Sequence, residues 1–582
     1  MAFIVKYDLN EKRNKSKRGG TKMKKLPKGI SNYEELVEEG YYYVDKTKYI
    51  EKLEALDDKR IMFLRPRKFG KTLFTSVLEN YYDISKKEKF DNLFKSTYIG
   101  KNPTKQKNSY HILKFNFSGI DTSSVDETLN GFKREVASSI QVFVKKYGID
   151  FFVNYEDEAE NILDNLLKAF YTQKLEQKIY VIIDEYDHFA NELLSFNTEQ
   201  FKNLVSKNGK VRKWYEILKK GTETVIGRIF ITGVAPITLD SLTSGFNISK
   251  DITRDQRFNE MAGFTEEEVI ELMDEQGISK IEQEELLPTM KENYDGYKFS
   301  IGSNIHMYNS NMCLYLLSDY IGIGQMPESL IDVNIASDYS KLSKMLQICQ
   351  GEQSKEIIEQ TILGKGIVMP IIDKFNPETE FGDQELISML FYLGYLTISR
   401  ELLGTPELKI PNRVMKELYA EYFLESIEKN LNLRVARTNY SIMAQELAFE
   451  GKIDKVIEVL KEYLKNLSNR DYQKFDEKYV KVLFYSIVMN LKNAYWIKSE
   501  YEVEREYPDL LLIPREQDKG YYSIMIEFKY LKKGEESKLE EKQEEAKNQI
   551  EKYCRYEEMK SIKNLKKYTI VAVVDEVYAK LL

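Results

Sequence analysis

The stretch Ile61–Tyr82, IMFLRPRKFGKTLFTSVLENYY, decides how the rest of the chain is read. Four apolar residues, Ile61 to Leu64, predict a buried strand. A short polar loop follows, Arg65-Pro66-Arg67-Lys68-Phe69-Gly70. Lys71 and Thr72 then open a segment whose apolar residues Leu73, Val77 and Leu78 recur at helical spacing. Strand, loop, Gly-Lys-Thr and helix form the context of a phosphate-binding loop. Its backbone N–H groups and the helix N-terminus face the phosphates of a nucleotide, Lys71 reaches them as a point charge, and the Thr72 hydroxyl is offered to Mg²⁺. Arg65 stands where the pattern has its first glycine.

Two further apolar runs extend the pattern. Tyr180 to Ile183 ends in Asp184-Glu185, a carboxylate pair at the end of a strand. A nucleotide hydrolase needs such a pair, with Asp184 holding Mg²⁺ through water and Glu185 orienting or deprotonating the attacking water. Arg228 to Ile231 ends in Thr232-Gly233, where a polar sensor of the γ-phosphate is expected. Lys114 to Ser118 alternates apolar and polar residues and is expected to be one more strand of the same sheet. These runs predict an α/β, ATP-using P-loop domain.

The 582-residue chain has room for about three domains, and a 42% hydrophobic share is enough for real cores. The net charge of −7 restricts any nucleic-acid contact to local basic patches. Three cysteines (Cys313, Cys349, Cys554) and three histidines (His111, His188, His306) are scattered, which argues against structural zinc or a disulfide framework. No apolar run of membrane-spanning length or secretory leader is present, so the expected setting is cytoplasmic. Residues 11–28 hold nine Lys or Arg against one Glu and read as a solvated basic tail.

Ser31 with Glu34 is expected to cap a short helix, and Phe264-Thr265 with Glu266 to Glu268 another. Arg254 and Arg257 are candidates for an arginine finger or for surface ion pairs. Residues 384–422 predict helix, two short strands around Gly404-Thr405-Pro406, and a second helix, an order that resembles a winged helix. From about Ala444 the composition turns to amphipathic helices, Lys452–Leu467 and Phe475–Leu491.

Leu510–Ile513 and Tyr522–Phe528 read as two strands around a polar turn. Asp509 opens the first, and Glu527-Phe528-Lys529 lies near the end of the second. Strand periodicity puts Glu527 and Lys529 on one face. Two facing carboxylates make an oxygen-rich pocket for Mg²⁺, and Lys529 would stabilise an attacking hydroxide or the charge on phosphorus.

The phrases GISNYEELVEEGYYYVDKT, LRPRKFGKTLF, VIIDEYD, FITGVAPI, FNISKDIT, GFTEEEV, YDGYKF and LGYLT resemble the prokaryotic AAA-ATPase-like proteins fused to a PD-(D/E)XK nuclease domain. In that family an arginine commonly replaces the first glycine of the loop. Composition marks a basic tail (1–25), and the resemblance, which covers Leu26 to about Tyr553, implies a P-loop domain (26–255), a helical lid with winged-helix-like region (256–430) and a nuclease-like domain (431–582). It implies ATP and Mg²⁺ as cofactors and a setting in prokaryotic defence or mobile-element biology. Nucleic acid is the expected partner, DNA before RNA, with a homo-oligomer left open. Gln549 matches the family's site-lining glutamine, and Glu477 and Glu502 match extra metal carboxylates. The family's Gly-Arg-x-Asp is here Glu506-Tyr507-Pro508-Asp509. A nucleotide-switched binding protein or a protein remodeller with an inactive nuclease-like domain is the alternative.

Overall fold

A computed structural model describes residues 24–188, 209–236, 248–327, 330, 342, 346, 361–362, 366–375, 382–431, 437–466, 477–499, 508–516 and 519–582. They divide into two compact units, the first running to Arg413 and the second covering Val414–Leu582 together with residues 361–362. Among them no helix is long and apolar enough to cross a membrane.

The first unit is built on a parallel sheet of β1 (Arg60–Leu64), β2 (His111–Asn116), β3 (Ile179–Asp184), β4 (Ile226–Gly233) and the two-residue β5 (Lys250–Asp251), in the order β2-β3-β4-β1-β5. Strand β4 therefore lies between the strand that feeds the phosphate-binding loop and the strand that ends in Asp184. This is the layout of an additional-strand P-loop sheet. Every residue of β3 is buried, as expected of a parallel strand covered on both faces. Because all five strands run the same way, their carboxyl ends share one edge, where α/β sheets bind ligands.

Helix α1 (Lys71–Tyr82) follows β1 and packs on β2 and β3. Helices α2 (Val125–Tyr147), α3 (Ala159–Thr172) and α4 (Lys210–Gly221) pack on one another, and their shared core holds Trp214, Phe132 and Phe117. Helix α5 (Glu266–Glu275) opens on a capping box, Thr265 with Glu268. The first short helix differs from expectation. It spans Tyr33–Glu38, and its cap is Asn32 rather than Ser31, because the Asn32 side chain accepts from the N–H groups of Glu34 and Glu35. Strand β2 also begins three residues before the predicted Lys114, since its alternating half is preceded by the buried run His111–Leu113.

Helix α6 (Asp383–Tyr392) leads to an antiparallel sheet of β6 (Ile367–Val368), β7 (Thr397–Leu402) and β8 (Thr405–Lys409), in the order β6-β8-β7. The turn between β7 and β8 is Leu403-Gly404, both at positive φ.

The second unit starts with the helix Arg413–Leu431 and centres on a mixed sheet. Its strands are β9 (Tyr495–Ser499), β10 (Leu510–Pro514), β11 (Ser523–Leu531), β12 (Leu565–Val573) and β13 (Glu576–Leu581), in the order β13-β12-β11-β10-β9. Strands β11 and β12 are parallel and the other pairs antiparallel. Helices α7 (Asp454–Asn466) and α8 (Glu477–Val488) pack together, and α8 sets Phe484 against Phe528 of β11. Helix α9 (Leu539–Tyr553) lies over β11 and β12.

Candidate functional site

In the first unit, β1 hands the chain to the loop Arg65–Gly70 and then to α1. Gly70 has φ 87°, the left-handed region that a side chain resists, and this turn lets the helix start at Lys71. The loop is pinned from outside. The Lys68 carbonyl accepts from Ser310 Oγ (3.1 Å) and the Asn311 N–H (3.3 Å), the Phe69 carbonyl accepts from the Gly263 N–H (2.9 Å), and the Phe69 ring lies edge-on to Tyr297 and Phe299.

A cavity of about 580 Å³ opens over this loop. Arg67, Lys68, Phe69, Gly70, Lys71 and Thr72 line it, with the polar side chains of Glu185, Asn116, Ser118 and His188 and the apolar ones of Ile30, Val44, Phe264 and Leu314. Loop N–H groups for phosphates and apolar side chains for a base together suit a nucleotide.

Lys71 is buried, donates to the Pro66 carbonyl (3.1 Å) and lies 3.8 Å from Glu185 Oε1. Asp184 is fully buried. Burial raises its pKa first and the Glu185 charge second, opposed by Lys71, the Thr72 hydroxyl and Lys114. Its Oδ2 is buried with no hydrogen-bond partner among the described residues. A lone carboxylate oxygen beside a threonine hydroxyl fits the water-mediated Mg²⁺ site of a bound nucleotide. Glu185 has φ 51°, a conformation uncommon for a residue with a side chain, which turns its carboxylate from the strand towards Lys71.

Four predicted ligands do not line this cavity: Arg65, Pro66, Asp184 and Thr232. The Thr232 hydroxyl donates to the Phe63 carbonyl (2.8 Å) and ties β4 to β1. The Arg65 guanidinium is buried, donating to the carbonyls of Leu64, Thr253, Phe258 and Asn259 between the rings of Phe63 and Phe299. Arg254 pairs with Asp373 (2.5 Å) and Arg257 with Asp255 (2.6 Å).

Sequence reasoning missed Asp187. This buried carboxylate accepts from the N–H groups of Val234 (3.0 Å) and Ala235 (2.7 Å) just past β4. Gly233 leaves it room, since a Cβ there would sit 2.1 Å from Asp187 Oδ1. The signal was present in the third carboxylate of the DEYD run.

In the second unit the register of β10 against β11 pairs Leu510 with Ile526, which brings Asp509 opposite Glu527. Asp509 Oδ2 accepts the Phe528 N–H (2.7 Å), fixing its carboxylate beside the Glu527 side chain. Glu527 is 2% exposed. Burial, then the Asp509 charge, pushes its pKa up to about 7, with Lys529 and Lys481 opposing. Lys529 Nζ lies 3.3 Å from Glu527 Oε1 and 3.9 Å from Glu545 Oε1 on α9. Gln549 follows one turn after Glu545.

Among the described residues, Glu527 Oε2, Gln549 Oε1 and Thr569 Oγ1 are buried oxygens with no hydrogen-bond partner. Thr569 is the β12 residue paired with Glu527, and Gln549 belongs to the helix over that pair of strands. An all-oxygen set that lacks donors fits a hard divalent cation. Among the described residues no three His, Cys, Asp or Glu side chains are placed to hold a metal. Glu502 lies outside the described residues. Glu477 is 2.8 Å from Lys481 on its own helix. Lys481, which the sequence reading did not single out, bonds Asp509 Oδ1 at 2.7 Å.

Comparison with known proteins matches two parts of the chain. Residues 27–243 match the family model described as a predicted AAA-ATPase, and residues 475–580 match that of the PD-(D/E)XK nuclease superfamily. An uncharacterized protein from the vnfD 5' region of Azotobacter chroococcum mcd 1 is 26% identical over 248 residues, 42% of this chain. The match spans 44% of that relative's length. Two solved structures align over most of the chain. The Aeropyrum pernix ORC2 protein in ADPNP and ADP complexes has 12% identity and TM-score 0.31, covering 70% of this chain and 97% of its own. Cdc6p from Pyrobaculum aerophilum has 11% identity and TM-score 0.28, covering 68% and 98%.

Proposed function

We propose that this chain, which joins an AAA-ATPase-like domain to a PD-(D/E)XK nuclease superfamily domain, is a nucleotide-gated, Mg²⁺-dependent nuclease acting on DNA in preference to RNA. The observation that carries the reading is the pairing of Asp509 with Glu527 beside Lys529, with Thr569 in register with Glu527 on the neighbouring strand.

In the first unit, Lys71 and the loop N–H groups bind the phosphates of ATP, and Thr72 with Asp184 hold its Mg²⁺. Glu185 takes a proton from the attacking water. In the second unit, Asp509 and Glu527 hold the divalent cation, with Gln549 as a neutral oxygen ligand. That cation, when bound, supplies a water acidic enough to attack phosphorus. Lys529 offers a positive charge to the oxygens of the phosphodiester as negative charge builds on them. Glu527 is ionised when the cation is present, because a divalent charge reverses the effect of burial on the carboxylate.

A second reading has its own support. The ammonium of Lys481 sits on Asp509, and among the described residues no three His, Cys, Asp or Glu side chains are placed to hold one metal. A nucleotide-switched protein that grips nucleic acid without cutting it would look like this.

One experiment separates the two readings. The full chain is incubated with Mg²⁺ and labelled single- and double-stranded DNA and RNA, with and without ATP, beside Glu527→Ala and Lys71→Ala. Cutting of DNA that disappears in Glu527→Ala and loses its response to ATP in Lys71→Ala is expected. Retention of nucleic acid with no cutting on any substrate would favour the switch.

A further inference from the structure

We propose that Lys481 is a tethered cation seated on the acidic centre of the second unit, and that a divalent cation must displace it from Asp509 to bind. The inference rests on reading Asp509 and Glu527 as that cation's ligands.

Lys481 projects from α8, a helix that supplies no other group to Asp509 among the bonds described. Its Nζ lies 2.7 Å from Asp509 Oδ1 and 2.8 Å from Glu477 Oε1. The other Asp509 oxygen already accepts the Phe528 N–H. The oxygen facing the cluster is therefore the one Lys481 covers, and a cation that coordinates Asp509 on that side meets an ammonium already in place. Lys529 does not play this part, because it is shared between Glu527 and Glu545.

The charges around the centre favour exchange. Four carboxylates (Glu477, Asp509, Glu527, Glu545) face three ammonium groups (Lys481, Lys529 and Lys542, which pairs with Glu545), which leaves carboxylates in excess even with Lys481 in position. Glu477 is one turn away on the same helix, so Lys481 keeps an ionic partner after it leaves Asp509. The flexible four-carbon stem of lysine permits the swing, which a planar guanidinium held by two bonds would resist. The site thus has a resting state neutralised by the chain itself and a loaded state neutralised by metal.

The test measures Mn²⁺ binding to the full chain without nucleotide, by electron paramagnetic resonance and by titration calorimetry. The site of interest is the Mn²⁺ binding that disappears in Asp509→Asn. Lys481→Met, which keeps the stem and removes the charge, should tighten that binding about tenfold, the worth of one part-buried charge-assisted bond. Lys481→Gln is read the same way if the methionine variant melts early. Mn²⁺ binding that is unchanged or weaker in both variants overturns the inference. Binding seen only in the lysine variants supports it as strongly as a tenfold gain. If Asp509→Asn and Glu527→Gln leave Mn²⁺ binding unchanged in the Lys481→Met background as well as in the wild type, the metal-site reading itself fails and the inference falls with it.

Discussion

Arg65 is an arginine in a place where phosphate-binding loops carry glycine, and its surroundings give it a structural task. Its guanidinium donates to Thr253 (2.7 Å), Leu64 (2.8 Å), Phe258 (2.9 Å) and Asn259 (3.3 Å), all backbone carbonyls. It lies 4.3 Å from the ring centre of Phe63 and 4.2 Å from that of Phe299. Burial lowers its pKa to about 9, with Asp251 and Tyr49 opposing, so it stays charged at neutral pH. The stacking and the carbonyl bonds compensate for part of the lost hydration. Restoring the glycine of the general pattern therefore removes a cross-link between the loop and the 253–259 segment. Arg65→Gly should destabilise the first unit by about 3 kcal/mol, since several carbonyls lose their donor and a cavity opens between two rings. Denaturant melts without nucleotide would check this. An unchanged midpoint, or tighter ATP binding in the variant, would contradict it.

At the scale of elements, the junction after β3 and β4 depends on Asp187. Its pKa is raised to about 6, by burial first and by the Glu185 charge second, against the Ala235 and Val234 N–H groups and Lys71. The folded chain thus holds this proton more tightly than the unfolded chain, whose aspartate releases it near its ordinary value of about 4. The stability Asp187 contributes is full below that value and is lost as pH rises through 6. Asp187→Asn carries no such dependence. Relative to wild type it should gain about 1 kcal/mol between pH 5 and pH 8, read from melts at both values. A constant difference would mean that Asp187 does not titrate there. Elements also decide what the sequence could reveal. The runs IMFL, YVII and RIFI announced β1, β3 and β4, because a strand buried on both faces must be apolar throughout. The hairpin of β10 and β11 was legible from its apolar strands, and strand periodicity alone put Glu527 and Lys529 on one face. Two-residue β5 has too little sequence to carry a signal. Strand β12 carried one, the run Tyr568 to Val573, that went unused beside the more chemical hairpin. Asp187 was visible as the third carboxylate of the DEYD run, whereas Lys481 was not legible as a site residue. A lysine on an amphipathic helix looks solvated until the fold brings a residue 28 positions away against it.

For the whole molecule, the two compact units carry one proposed site each, for a nucleotide in the first and for a phosphodiester in the second. Gating of the second by the first is a coupling free energy, and such a coupling is reciprocal. If ATP changes the affinity of the chain for DNA by some factor, DNA must change its affinity for ATP by the same factor. Couplings of this kind are on the order of 1–3 kcal/mol, or about 5- to 150-fold. The measurement uses Glu527→Ala, so that DNA is not consumed, and Glu185→Gln, so that ATP is not hydrolysed. Both changes are combined in the full chain. DNA binding is measured by anisotropy with and without saturating ATP, and ATP binding with and without saturating DNA. Equal factors within that range are expected, and both should fall to one when Lys71→Ala is added, because the loop then loses its reach to the phosphates. Two factors of one in the double variant would mean the units bind independently, and ATP would then act on something other than the grip on DNA. Reciprocity holds for binding but not for rates. A chain that gates only the cutting step would show no change in either affinity yet still cut faster with ATP, and the comparison of the two experiments would reveal it.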